Sequence, residues 1–278
     1  MEVSTLDRFH ISGDVVVITG GAGFLGLQHA AAVLDGGGVP VLLDINPESL
    51  ERGVSGLRSL RGGDTMGIVA DITSPRAVQA ACARILDQHG HIDALVNNAA
   101  VDPRVGGDPK STAWSRFETF PLDTWERDIA VGLTGALICS QVFGSHMAAR
   151  RKGVILNIAS DLGLIAPDQR IYRKEGIPDE LQEVKPVSYS VVKHGLIGLT
   201  RYCATYWADR GIRVNALCPG GMFHGQPEEF VCGLTHLIPL GRMATEGEYR
   251  GAILFLLSSA SSYMTGSILV MDGGRTCW

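Results

Sequence analysis

The sequence predicts an α/β fold, a single doubly wound sheet of seven parallel strands with helices on both faces. Three observations predict it. Short apolar, β-branched runs alternate with longer amphipathic segments, the pattern of a parallel sheet covered on both sides. A chain of 278 residues, 45% hydrophobic and 19% charged, is long enough for one large core. No internal repeat or low-complexity linker breaks the alternation, so residues 1–278 are read as one domain.

The first strand, Val15–Thr19, holds only Val, Ile and Thr, and a glycine-rich turn separates it from a helix over Phe24–Leu34. Pro40–Asp44 is the second strand and Met66–Ala70 the third. Ser74 is a capping residue for a helix over Ser74–Gln88, and Ala94–Asn97 is the fourth strand. A long helix over Leu122–Ala149, introduced by Asp123 as a cap, precedes the fifth strand, Val154–Ala159. The helix Val187–Asp209 leads to the sixth strand, Arg213–Leu217, and Glu246–Leu257 leads to the last, Ser267–Met271. Two segments fit neither pattern. Val101–Pro121 is rich in Gly, Pro and charge, and Ile165–Pro186 holds three prolines among many charges. Long loops inside a compact domain are usually functional or disordered.

Composition narrows the partners. A net charge of -5 with no long Lys/Arg run argues against nucleic acid or an anionic membrane surface and leaves a small molecule. No apolar run approaches the roughly 18 residues of a membrane span, and Met1–Asp14 lacks a signal pattern, so a cytoplasmic protein is expected. Cys82, Cys139, Cys203, Cys218, Cys232 and Cys277 form no C-x-x-C pair, so neither disulfides nor a metal site is implied.

The turn Gly20-Gly21-Ala22-Gly23-Phe24-Leu25-Gly26 follows a strand and opens a helix, and Gly21, Gly23 and Gly26 satisfy G-x-G-x-x-G. Bare backbone can approach a pyrophosphate there, met by free N–H groups and the positive helix end. The alternative is a turn that merely packs helix on strand. Asp44, ending the second strand, can accept hydrogen bonds from both hydroxyls of an adenosine ribose and would repel a 2'-phosphate. Neither Ile45 nor the glycine loop supplies a compensating cation, so NAD is expected over NADP. A turn or capping Asp before Pro47 is the plainer alternative.

With Asn97-Asn98-Ala99-Ala100, Tyr189-Ser190-Val191-Val192-Lys193 and Pro219-Gly220 in this order on strand ends, the sequence resembles the short-chain dehydrogenase/reductases over nearly its whole length. The resemblance implies a Rossmann fold with the cofactor lying across the carboxyl ends of the strands. It places Asp71 and Ile72 beside the adenine, Asn98, Ala99 and Ala100 beneath the cofactor, and Pro219, Gly220 and Met222 beside the nicotinamide, with Tyr189 and Lys193 also touching the cofactor. It implies Ser160, Tyr189 and Lys193 as catalytic residues, and pairing through the two long helices into homodimers or homotetramers.

Residues alone support the proton chemistry. Tyr189 and Lys193 are four apart on a helix and share a face. A free tyrosine titrates near pH 10, and an ammonium at about 4 Å, at an effective dielectric of about 20, favours phenolate by roughly 4 kcal/mol, or about 3 pKa units. Ser160, closing the fifth strand, can hold a substrate oxygen while Tyr189 exchanges its proton, or it can simply cap the loop.

Several positions depart from the family pattern. Phe24 stands where the shorter-chain branch has Gly, as in the longer branch that acts on nucleotide sugars. Gly132 stands where a helix-bending Asn is usual, and glycine keeps the carbonyl while tolerating the bend. Twenty-nine positions separate Ser160 from Tyr189, implying an insertion at about residues 161–187. Its Arg170, Arg173, Lys174 and Lys185 alternate with Asp168, Glu175, Asp179 and Glu180, which suits either a polar substrate or a solvated surface loop. Arg170, Arg173 and His224 are candidate substrate contacts, whereas His194 is read as a helix-surface residue. Gly221–Gln226 lacks the threonine that many relatives use on the cofactor.

The function expected is an NAD-dependent oxidoreductase interconverting a secondary alcohol and a ketone, with sugar-like substrates first. Two alternatives stand beside it: a cofactor-binding regulatory protein that has lost turnover, and a sugar isomerase or dehydratase that regenerates its cofactor.

Overall fold

The computed structural model describes residues 4–101 and 112–278; the part of the Val101–Pro121 loop at residues 102–111 lies outside the described residues. Seven strands, β1 (Val15–Thr19), β2 (Val39–Asp44), β3 (Met66–Val69), β4 (Ala94–Asn97), β5 (Gly153–Ile158), β6 (Ile212–Pro219) and β7 (Ile268–Met271), pair in the order β3-β2-β1-β4-β5-β6-β7. Every pairing is parallel. The strand order reverses between β1 and β4, and ligands of such sheets bind outside the carboxyl ends at that switch point.

The two faces explain why the strands read as unbroken apolar runs. Val15, Val17, Val41, Leu43, Leu95 and Ile155 face one core, while Val16, Ile18, Leu42, Val96 and Leu156 face the other. The inner strands are thus buried on both faces, with a period of two. On the first face lie α3 (Pro75–His89), through Val78 and Ile85, and a long helix through Phe143 and Met147. On the second lie α1 (Phe24–Asp35), α2 (Pro47–Arg61) and α8 (Arg250–Leu257), through Ala30–Val33, Leu50, Leu57, Ile253 and Leu256.

The long helix runs as α4 (Leu122–Ile129), a π turn over Ala130–Thr134, and α5 (Gly135–Arg150). Its 29 residues are long and apolar enough to cross a membrane, with mean hydropathy 1.3 over an 18-residue window. The apolarity has a local cause, since Ile138, Cys139, Phe143 and Met147 are buried against the sheet.

Other boundaries move for identifiable reasons. Ser74 caps α3 as expected, accepting the Ala77 N–H through its side chain at 3.4 Å. Asp123 is not a cap, because Pro121 occupies that place and Asp123 sits within the first turn. The helix α6 (Val187–Tyr206) stops three residues early, and α8 starts at Arg250 rather than Glu246. Glu248 is engaged by Thr245 N–H at 2.6 Å and forked by Arg242, which closes a turn where the periodicity implied helix. One short helix, α7 (Glu228–Thr235), lies in the segment after β6, which the sequence reading left unassigned.

Candidate active site

At the end of β1, backbone meets backbone. A Cβ on Gly21 would sit 2.8 Å from Leu42 Cβ, and one on Gly26 would fall 2.8 Å from Gly21 Cα, so both must be bare for α1 to lie on the sheet. Gly20 has φ +60° and approaches Ala99 as closely. The N-terminus of α1 follows Gly23 with no side-chain cap, leaving the N–H groups of Phe24, Leu25 and Gly26 facing the switch point.

Asp44 is fixed beside this turn. Its Oδ2 accepts the Ala22 N–H at 3.1 Å and its Oδ1 the Asn46 N–H at 3.0 Å. The turn role and a position facing a ribose are therefore compatible. Asn98 ties the neighbouring strand ends together: its side-chain amide donates to Thr19 O and Gly20 O, while the Asn98 and Ala99 N–H groups reach the Thr19 hydroxyl. Ala100 follows, exposed. Asp71 caps its own turn through Thr73, and buried Ile72 packs where a side chain on Gly135 would have to go. Bare glycines, an uncapped helix start and an anchored carboxylate fit a nicotinamide dinucleotide.

At the other end of the cleft, β5, β6 and α6 converge. Lys193 is buried, and its ammonium donates to Ile158 O at 2.8 Å, linking α6 to the strand that ends just before Ser160. The short turn Asp161–Gly163 lies against α6, close enough that a Cβ on Gly163 would meet Lys193 O at 2.8 Å. Tyr189 is half-buried between two ammonium groups, Lys185 Nζ at 3.8 Å and Lys193 Nζ at 5.6 Å from its ring centroid. The Ser160 hydroxyl donates to Asp161 Oδ1 at 2.7 Å and accepts the Leu162 N–H at 3.1 Å. Cys218 lies alongside, its thiol pushed up to about 11 by burial and so kept protonated.

The structure thus brings Ser160, Tyr189 and Lys193 to one place. Pro219 ends β6, and Gly220 O accepts the Tyr249 hydroxyl at 3.0 Å. Met222 is buried, its segment paired with Ala244. His224 stacks on Phe24, with ring centroids 5.0 Å apart and planes 22° apart, which sets it at the glycine loop. Arg170 is exposed and forked on Asp168, and Arg173 lies 3.8 Å from Asp179, so each is paired within its own segment. The insertion docks instead through Ile171, against Leu234, Ile238 and Met243, and through Tyr172, whose ring lies 5.5 Å from Phe230. His194 bonds Ser190 O one turn back, as a helix-surface residue does.

Sequence reasoning missed Asp161, Arg275, Asn157 and the place of Lys185. Arg275 Nη1 donates to Asp161 Oδ2 at 2.7 Å across 114 positions of sequence. Asn157 accepts from Asn97 at 2.8 Å and donates to Thr200, a buried chain spanning β4, β5 and α6. A polar residue inside an apolar strand, Asn157 in Val154–Ile158, was the available signal.

The chain is similar to known proteins along nearly its whole length. The short chain dehydrogenase family model matches residues 14–172, and a second model, enoyl-(acyl carrier protein) reductase, matches 180–276. The D-threitol dehydrogenase of Mycolicibacterium smegmatis is 30% identical over 99% of this chain and 97% of its own. Among solved structures, an NAD+-bound xylitol dehydrogenase superposes with TM-score 0.82 at 27% identity, covering 95% of this chain and 99% of its own. A gluconate 5-dehydrogenase from Burkholderia cenocepacia, in complex with NADP and tartrate, reaches 0.85 at 28%, covering 99% and 100%. The chain belongs to the short-chain dehydrogenase/reductase family. It is accordingly an oxidoreductase that uses a nicotinamide cofactor on a small-molecule substrate.

Proposed function

We propose that the protein is an NAD-dependent dehydrogenase interconverting a secondary alcohol and a ketone on a polyhydroxylated, sugar-derived molecule. The observation that carries this is the buried Lys193 ammonium, bonded to Ile158 O beside Ser160 and 5.6 Å from the Tyr189 ring. A second ammonium, that of Lys185, lies 3.8 Å from the centroid of the same ring.

NAD, when bound, supplies the hydride acceptor at the nicotinamide C4. The chain's own groups do the rest. Tyr189 takes the proton of the substrate hydroxyl, Ser160 donates a hydrogen bond to that oxygen, and Lys193 stabilises the phenolate form of Tyr189. Gly20 to Gly26 with the start of α1 would hold the diphosphate, Asp44 the ribose diol, Asn98 to Ala100 the underside of the cofactor, and Pro219 and Gly220 the nicotinamide end. The relatives named for threitol, xylitol and gluconate support a polyol or sugar acid. Self-association through α5 and α6 belongs to the same proposal, supported by the exposed Leu137, Val191, Tyr202 and Tyr206.

The test is a panel of polyols and aldonates offered with NAD+ and with NADP+, followed by absorbance of the reduced cofactor. Turnover with NAD+, abolished by Tyr189→Phe with NADH binding intact, is expected. Cofactor binding without turnover of any alcohol or ketone would favour the regulatory alternative, and product without net NADH the isomerase.

A further inference from the structure

A serine hydroxyl has one proton to donate. In Ser160 that proton is directed at Asp161 Oδ1, 2.7 Å away, and the same carboxylate oxygen accepts the Leu162 N–H at 2.8 Å. The other oxygen, Oδ2, is held by Arg275 at 2.7 Å. All three side chains are buried, Ser160 at 5%, Asp161 at 3% and Arg275 at 7% exposure. Arg275 comes from the segment after β7, which Asp272 shapes by accepting the Gly274 and Thr276 N–H groups, both at 2.8 Å. A charge so buried is tolerated only when paired, so Asp161 and Arg275 form one unit.

A reacting substrate oxygen would need the proton that Asp161 now receives. The two acceptors compete for one hydrogen, and an ionised carboxylate is the stronger competitor. A guanidinium on the far oxygen draws negative charge away from Oδ1 and weakens its hold. We propose that Arg275 is a positioning residue for the reaction: through Asp161 it sets how readily Ser160 turns its proton from the carboxylate to the substrate oxygen. The C-terminal segment thereby tunes the reactive end of the cleft. This rests on the reading above that Ser160 binds the reacting oxygen.

The experiment compares Arg275→Met, Asp161→Asn with Arg275→Met, and Ser160→Ala, by steady-state kinetics on the alcohol found in the panel and by NADH fluorescence titration. Arg275→Met lowers kcat by about tenfold or more and leaves the NADH Kd within about twofold. The double variant, with neither buried charge and a neutral acceptor, regains activity to within about threefold of the parent. An unchanged kcat in Arg275→Met, or equal losses in the single and double variants that track a fall in melting temperature, overturns the proposal. Full activity in Ser160→Ala would instead reject the underlying assignment of Ser160, so the two failures are distinguishable.

Discussion

Gly132 and Val192 occupy one space. A Cβ on Gly132 would lie 2.5 Å from Val192 Cγ1 and 3.2 Å from Cγ2, and both residues are buried. Gly132 sits in the π turn of the long helix, and Val192 precedes Lys193 on α6. The position where relatives are expected to carry Asn thus has no room for a side chain here. Its partner on α6 fills that room, and the bend survives as a π turn made by the backbone.

Gly132→Ala is therefore expected to destabilise the fold by about 1–3 kcal/mol through overpacking, despite the better helix propensity of alanine. Val192→Ala in the same chain relieves it, so the double variant is more stable than the sum of the single changes implies. Urea denaturation midpoints of the four proteins measure this, and strict additivity would show that the two residues do not share the space.

Asp44 is held by Ala22 N–H and Asn46 N–H, so its carboxylate does not swing away when a ligand approaches. Asp44→Ala should weaken NADH and strengthen NADPH relative to it, shifting the preference by about tenfold or more. Calorimetric titration of both cofactors reads the ratio, and a parent protein that binds NADPH more tightly would reject NAD as the cofactor.

The Phe24–His224 stack bridges elements that the sheet holds apart. β1 and β6 are separated by β4 and β5, three steps of about 4.8 Å, yet the two rings meet at 5.0 Å. A dinucleotide held by the glycine loop would lie close to this ring pair, because Phe24 belongs to that loop. Phe24→Ala or His224→Ala should speed NADH release by about two- to tenfold, the worth of one ring pair, while His224→Phe keeps the stack and the slow rate. Stopped-flow displacement of NADH provides the rates, and equal release from all variants would leave the stack without a role in retention.

What was legible in the sequence follows from how each signal is encoded. Strands buried on both faces need apolar residues at every position, so Val15–Thr19 and Ala94–Asn97 stand out with correct ends. The glycine loop is local too, because strand, turn and helix are contiguous in the chain. Signals that depend on distant partners were not readable. Nothing near Asp161 announces Arg275, and nothing near Gly132 announces Val192 as the reason for its lack of a side chain. The start of α8 was misplaced because Glu248 bonds within a turn that its helical periodicity resembles. Likewise nothing near His224 announces its ring contact with Phe24, 200 positions earlier in the chain.

His29 gives the fold a measurable response to acid. It lies on α1, 1% exposed, and among the described residues neither ring nitrogen has a partner of hydrogen-bonding geometry. Burial lowers its pKa from 6.5 to about 4, with the neighbouring Asn98 side chain opposing only in part. Above pH 6.5 the ring is neutral in folded and unfolded chains alike, and its contribution to stability is constant. Between pH 6.5 and 4 the unfolded chain binds a proton that the folded chain refuses, so stability falls as pH falls, by about 1.4 kcal/mol per unit and about 3 kcal/mol in all. Asp168 and Glu248, each held down to about 2 by its arginine, add their own losses mainly below this window. Comparing the parent with His29→Leu isolates the histidine, since both proteins share those carboxylates. Urea midpoints taken from pH 7 to pH 4 should fall less steeply in His29→Leu, and parallel curves would mean that His29 is protonated inside the fold.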